Sequence, residues 1–225
     1  MLPRMDQRSR LLAGLAAPLL VAFGLVVLRS APFVFVAYHL GLCLLVPSWL
    51  ARRSGRGLGE HARTLGLGRR GLQSGLLLGL ASALVPPVAF ALAPSLFPDA
   101  THLRGTLAAW GLPPQAPAFF LFFLAVFNGP AEELYWRGWL LREPTPRWPL
   151  RAALALLFTS YHVLTIGRLA PTAGAAAPLT LVTLLGALAW TWMRARWESV
   201  WPPLCSHAGA TCGYLYVCAR LLAEG

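Results

Sequence analysis

The chain has 225 residues, 57% of them hydrophobic and only 12% charged, with a mean hydropathy of +0.60. Soluble domains carry about 25% charged residues, so this composition excludes an ordinary soluble enzyme and predicts a single integral membrane domain over residues 1–225. The net charge is +11 and every basic residue is arginine; the arginines fall between apolar runs, which excludes a nucleic-acid partner and fits the positive-inside rule.

In chain order, uncharged apolar runs predict spans at 11–29, 31–50, 72–97, 116–142, 150–167, 176–193 and 199–221. The expected fold is therefore an all-α polytopic transmembrane helical bundle of about seven spans. The first run lacks a small-x-small cleavage site and more spans follow it, so it reads as a true helix rather than a signal peptide. The third carries Pro86, Pro87 and Pro94, which predict a kink or break, and a Gly75/Gly79 pair suited to close helix packing. Cys43, Cys205, Cys212 and Cys218 all lie in apolar segments and read as small hydrophobes, not as a disulfide framework.

Charge sets the orientation. Arg4, Arg8 and Arg10 precede the first span; Arg52, Arg53, Arg56, Arg63, Arg69 and Arg70 follow the second. Arg142, Arg147 and Arg151, then Arg194 and Arg196, mark the next alternate connections, whereas the intervening ones hold only Arg29, Arg104 and Arg168. All the basic connections share one side if the N-terminus is cytoplasmic. The Arg52–Arg70 connection, rich in glycine and arginine, is expected to lie on anionic headgroups with little else to pack against.

Ionisable residues inside apolar spans are costly and mark functional sites by default. The fourth span ends in FNGPAEELYWRGWL. Glu133 and Arg137 are four apart and share a helix face, so they can pair; Glu132 points about 100° away with no local cation, which predicts a carboxyl of raised pKa suited to act as a base. Asn128 stands one turn before it. The fifth span holds Phe158 and His162, and the seventh His207 and Thr211, again one turn apart. At about 1.5 Å of rise per residue, Glu132, His162, His207 and Thr211 all fall roughly 12–18 Å from the start or end of their spans, in one slab of the bilayer. The alternative is a polar cluster that only joins helices. His39 reads as structural or peripheral. Tyr135, Trp136 and Trp139, with Trp190, Trp192, Trp197 and Trp201, read as an interfacial aromatic belt.

These residues resemble the motifs of the CPBP family of intramembrane proteases, the Rce1-like CAAX prenyl endopeptidases and their bacterial relatives. Glu132-Glu133-Leu134-Tyr135-Trp136-Arg137 is similar to the family's EExxxR motif, and Phe158 to His162 to its FxxxH motif. His207 falls where a third motif places a histidine, four residues before a usual asparagine; here that position is Thr211. The resemblance spans residues 116–215. It implies that Glu132 and His162 activate a water, that His207 with Thr211 stabilises the oxyanion, and that Glu133, Arg137, Phe158 and Asn128 support the site. Family members are described both as metal-free and as metal-dependent. The expectation is a metal-free enzyme, with a divalent ion such as zinc the alternative through Glu132, His162 and His207.

The resemblance further implies an intramembrane endopeptidase acting on a membrane-tethered protein or peptide in the lipid bilayer, by CAAX-type or C-terminal-tail processing. Arginine without lysine points to a high-GC bacterium, hence to a bacterial cell membrane. The competing readings are a non-catalytic binding or bacteriocin-immunity protein of the same fold, favoured by Thr211, and a small transporter.

Overall fold

The computed structural model describes residues 5–112, 117–142 and 147–224, and the side chains among these except at 117–119. Arg4 and the expected start of the fourth span at residue 116 lie outside the described residues. Helices and their connections account for the described residues, with no strand among them.

Among the described residues, seven long helices stand where the apolar runs predict them. They are α1 (Gln7–Val27) and α2 (Ala31–Arg53); α4 (Leu72–Leu92); α6, Pro117–Glu133 continued by Leu134–Leu140; α7 (Trp148–His162); α8 (Ala173–Trp197); and α9 (Trp201–Glu224). Among the described residues, five stretches are long and apolar enough to cross a membrane: Gln7–Val27, Ala31–Arg53, Leu72–Leu92, Trp148–Leu169 and Ala173–Trp197. The other two long helices, α6 and α9, carry Glu132, Glu133, Arg137 and His207. Leu76, Leu80, Leu84 and Leu92 of α4 and Leu181, Val182 and Leu185 of α8 are exposed, as expected of helices whose outer faces meet lipid rather than water.

Side-chain caps begin several helices. Asp6 accepts from the Ser9 amide at 2.7 Å, Ser30 from Phe33 at 3.2 Å and Thr172 from Ala175 at 3.1 Å, each satisfying an otherwise orphan donor. Pro86 and Pro87 lie inside α4, which runs on past them to Leu92; the expected break comes only after that residue, before the short turn Pro94–Leu96.

Two short helices were not evident in the sequence. Helix α3 (Leu58–Leu65) lies within the arginine-rich connection, and α5 (Ala100–Ala109) follows α4. Helix α3 corrects the expectation that its connection has little besides headgroups to pack against. Leu65 is buried and lies against Gly138, and the Gly66 carbonyl accepts from the Val200 amide at 3.1 Å.

The long-range contacts sort the connections into two ends. At one, Arg10 donates to the carbonyls of Leu140 and Arg142, α3 meets α6, and Arg70 pairs with Glu198. At the other, the Ala31 amide donates to the Trp110 carbonyl at 2.8 Å, His102 meets the Arg168 carbonyl, and Arg104 donates to the Leu222 carbonyl. The arginine-rich connections thus share one end, and the arginine-poor ones the other.

Helices α4 and α9 are in close contact. Gly75 and Gly79 face Trp201 and Cys205, and Gly209 and Gly213 lie against the carbonyls of Gly79 and Ala83 so tightly that a Cβ on either would collide with them. The Gly75/Gly79 pair therefore does what small residues do in membrane packing, bringing two backbones together, and α9 is thereby held with His207 facing the bundle interior.

Candidate active site

Four helices bring the ionisable residues to one buried place. Helix α6 supplies Asn128, Glu132, Glu133 and Arg137; α7 supplies Phe158, Tyr161 and His162; α9 supplies His207; and α2 supplies Tyr38 and His39. Glu132, Glu133, Arg137, His162 and His207 are all buried. Both α2 and α6 open into wider turns here, over Phe35–Leu45 and Leu134–Leu140, a distortion frequent at functional sites.

The Glu133–Arg137 pair forms as expected, at 2.7 Å between Nη1 and Oε1. Arg137 also donates to the Ala187 carbonyl at 2.9 Å, and its guanidinium lies 4.5 Å from the Phe158 ring centroid. Phe158 thus seats the arginine through a cation–π contact. His207 joins this group: its Nδ1 lies 2.9 Å from the same Glu133 oxygen, and its ring stacks on Trp190 at 4.1 Å. A carboxylate oxygen only accepts, so Nδ1 carries the proton and Nε2 is left to face Glu132 Oε2 at 3.7 Å.

Glu132 is not without partners, which corrects the expectation of an isolated carboxyl. Tyr161 donates to its Oε1 at 2.9 Å, and His39 Nε2 stands 3.7 Å from that oxygen. Behind Tyr161 runs a chain of hydroxyls: Trp136 Nε1 donates to Tyr38 at 3.0 Å, and the Tyr38 and Tyr161 hydroxyls meet at 2.8 Å. Because Tyr161 gives its proton to the carboxylate, Tyr38 is the donor in that pair. The chain ends on Oε1, whereas Oε2 is buried and accepts no hydrogen bond among the described residues.

His162 is near enough to this carboxylate to interact with it electrostatically. Its Nδ1 donates to the Phe158 carbonyl at 2.8 Å, which fixes the tautomer and leaves Nε2 as an acceptor. Thr211, one turn past His207, is half-buried, and none of the described hydrogen bonds involves its hydroxyl.

Two further expectations change. His39, read as structural or peripheral, is not peripheral: it is buried and bonds Asn128 Oδ1 through Nε2 at 2.7 Å. Tyr135, Trp136 and Trp139 are buried rather than in an aromatic belt, and Trp190 stacks in the site; Trp192 alone of the four later tryptophans is largely exposed, at 54%. The tyrosine chain escaped the sequence reading because Tyr38 and Tyr161 are 123 residues apart and tyrosine is common in apolar spans. The Tyr38-His39 dipeptide, two polar rings inside an apolar run, was the one signal available. All four cysteines are free.

Glu132, His162 and His207 were the sequence's offer to a divalent ion. Among the described residues no three His, Cys, Asp or Glu side chains are grouped as a metal-holding set.

A helical membrane protein with a buried carboxylate among imidazoles is the class that fold and site define. Residues 114–213 match the family model described as type II CAAX prenyl endopeptidase Rce1-like; over that segment the chain is similar to a family of proteases. No curated protein and no solved structure matches the chain. The matched segment contains the whole site except the α2 residues Tyr38 and His39.

Proposed function

We propose that the protein is an intramembrane endopeptidase that hydrolyses a peptide bond of a membrane-tethered protein or peptide, using water activated by Glu132 and His162 without a metal. The observation that carries this reading is the asymmetry of Glu132. One oxygen is saturated by Tyr161 and flanked by His39; the other is buried, accepts no described hydrogen bond and faces an imidazole nitrogen at 3.7 Å. That separation is too long for a direct hydrogen bond, so both atoms keep their acceptor capacity for one water.

In the reaction, the water oxygen attacks the scissile carbonyl carbon as a water proton passes to Glu132 Oε2 or His162 Nε2, both acceptors in this arrangement. The tetrahedral intermediate then collapses with cleavage of the C–N bond, and the same proton goes to the departing amine. The net change is one water consumed, one carboxyl end and one amine end formed. His207 becomes a donor from Nε2 only when protonated. The arginine-rich end would face the cytoplasm of a bacterial cell membrane.

Lipid-tethered peptides of varied sequence, incubated with the purified protein in ¹⁸O-labelled water, test this reading. Hydrolysis as proposed leaves one ¹⁸O in each new C-terminal carboxyl. Peptides that stay intact would instead favour a binding or immunity protein of the same fold, the reading that Thr211 supports.

A further inference from the structure

Peptide hydrolysis places negative charge on the former carbonyl oxygen, and a preorganised donor must meet it. The donors around Glu132 are nearly all committed. Tyr161 gives its proton to Glu132, Tyr38 gives its own to Tyr161, and Trp136 Nε1 is used on Tyr38. His162 and His207 each spend Nδ1–H, on Phe158 and on Glu133, and present bare Nε2 atoms in their neutral forms. Arg137 is divided between Glu133 and Ala187, and Trp190 donates to Ser206.

Asn128 is different. Its Oδ1 accepts from His39 Nε2 at 2.7 Å. The tautomer follows from the surroundings: Nε2 is flanked by two acceptors, Asn128 Oδ1 and Glu132 Oε1, whereas Nδ1 is buried with no partner among the described residues, a state less costly for a lone pair than for an N–H. With Oδ1 turned to His39, the carboxamide nitrogen points the other way. Its two N–H groups make no described hydrogen bond, on a residue that is half-buried and one helical turn from Glu132. Thr211 is also uncommitted, but no described bond ties it to the cluster.

We infer that Asn128 is the oxyanion donor of this enzyme, its carboxamide nitrogen binding the carbonyl oxygen of the scissile bond while His39 acts as the positioning residue that holds the amide. This rests on the proposed peptidase reading and adds to it an amide donor from α6, held by a residue of α2 outside the segment that matches the family. It also gives the site the amide that Thr211 lacks.

The test compares a tethered peptide cleaved by the native protein with its thioamide analogue, in which sulfur, a poor hydrogen-bond acceptor, replaces the scissile oxygen. The native protein is expected to favour the oxygen substrate strongly. Asn128→Leu should lower kcat about a hundredfold or more with KM little changed, and should bring the oxygen-to-sulfur rate ratio close to that of uncatalysed hydrolysis. Thr211→Val should keep the native ratio. His39→Leu should reduce kcat, and His39→Gln, which restores an N–H donor to Asn128, should recover part of it; this pair tests the inference even if Asn128→Leu does not fold. An unchanged ratio in Asn128→Leu, a collapse of the ratio in Thr211→Val instead, or equal rates in the two His39 variants would overturn the inference and leave the peptidase reading standing. A native protein that cuts no peptide would overturn both.

Discussion

His207 Nδ1 lies 2.9 Å from Glu133 Oε1, the same oxygen that Arg137 reaches at 2.7 Å. One carboxylate atom therefore holds a histidine of α9 and an arginine of its own helix, all of them buried. The arginine neutralises Glu133, and Glu133 in turn fixes the face that His207 turns to Glu132. The second glutamate of the EExxxR motif is thus a bracket between α6 and α9 as well as half of an ion pair.

Removing either end of that bracket leaves a buried charge unpaired. Arg137→Ala or Glu133→Ala should each cost about 3–5 kcal/mol of stability, measured by thermal unfolding in detergent. A loss below about 1 kcal/mol, the scale of surface pairs, would show that the group is hydrated rather than buried. The neutral Arg137→Met/Glu133→Leu double variant should be less destabilised than either single change.

Tyr161→Phe removes the donor to Glu132 Oε1 and keeps the ring that packs on Phe158 and His162 at 5.6 and 4.4 Å. The loss of a hydrogen bond to a charged group, about 1.5–3 kcal/mol, should appear chiefly in kcat as a fall of about tenfold or more. Tyr38→Phe, one step further from the carboxylate, should have the smaller effect. Equal activity in native protein and Tyr161→Phe would remove the hydroxyl chain from the account.

His61 in α3 offers a pH dependence outside the membrane-spanning helices. Burial lowers its pKa below the ordinary histidine value of 6.5, and the neighbouring charges of Arg142 and Arg56 lower it further. The folded protein thus holds His61 neutral, while the unfolded chain takes up a proton near pH 6.5. Its contribution to stability is complete above that pH and is lost as pH falls through 6.5 toward the lower folded-state pKa. Melting temperature should drop over that window, and less so in His61→Gln; an identical drop in both would assign it to other groups.

Gly209→Ala places a methyl group against the Gly79 carbonyl, forcing α9 away from α4. A cost of about 1–3 kcal/mol, as for other overpacked sites, should accompany lost activity because His207 moves with α9. Gly59→Ala, at a glycine of α3 with open space around it, should change neither.

The helices were legible because an apolar run of span length has few alternatives in lipid. Their sorting into two ends was legible in the alternation of arginine-rich and arginine-poor connections. Glu133 and Arg137 were legible as a pair because both lie on one helix, and His162 and His207 because an ionisable residue in a span stands out. Tyr38, Tyr161 and Trp190 did not stand out: aromatic residues in a membrane protein serve lipid interfaces as often as interiors, and their use here depends on tertiary contacts. The partners of His39 were hidden for the same reason, since Asn128 and Glu132 lie on another helix. Helices α3 and α5 were missed because eight and ten residues among glycines and charges give no sustained apolar period.

The central claim is that Glu132 is the group that activates water. The most direct measurement is the rate at which purified native protein and Glu132→Gln cleave the same lipid-tethered peptide, each with and without a chelator. Native cleavage that persists in chelator and falls by at least about a thousandfold in Glu132→Gln, as expected when an essential base is lost, is the result this account requires. Cleavage by Glu132→Gln at the native rate would contradict it, and native cleavage abolished by chelator would contradict the metal-free chemistry.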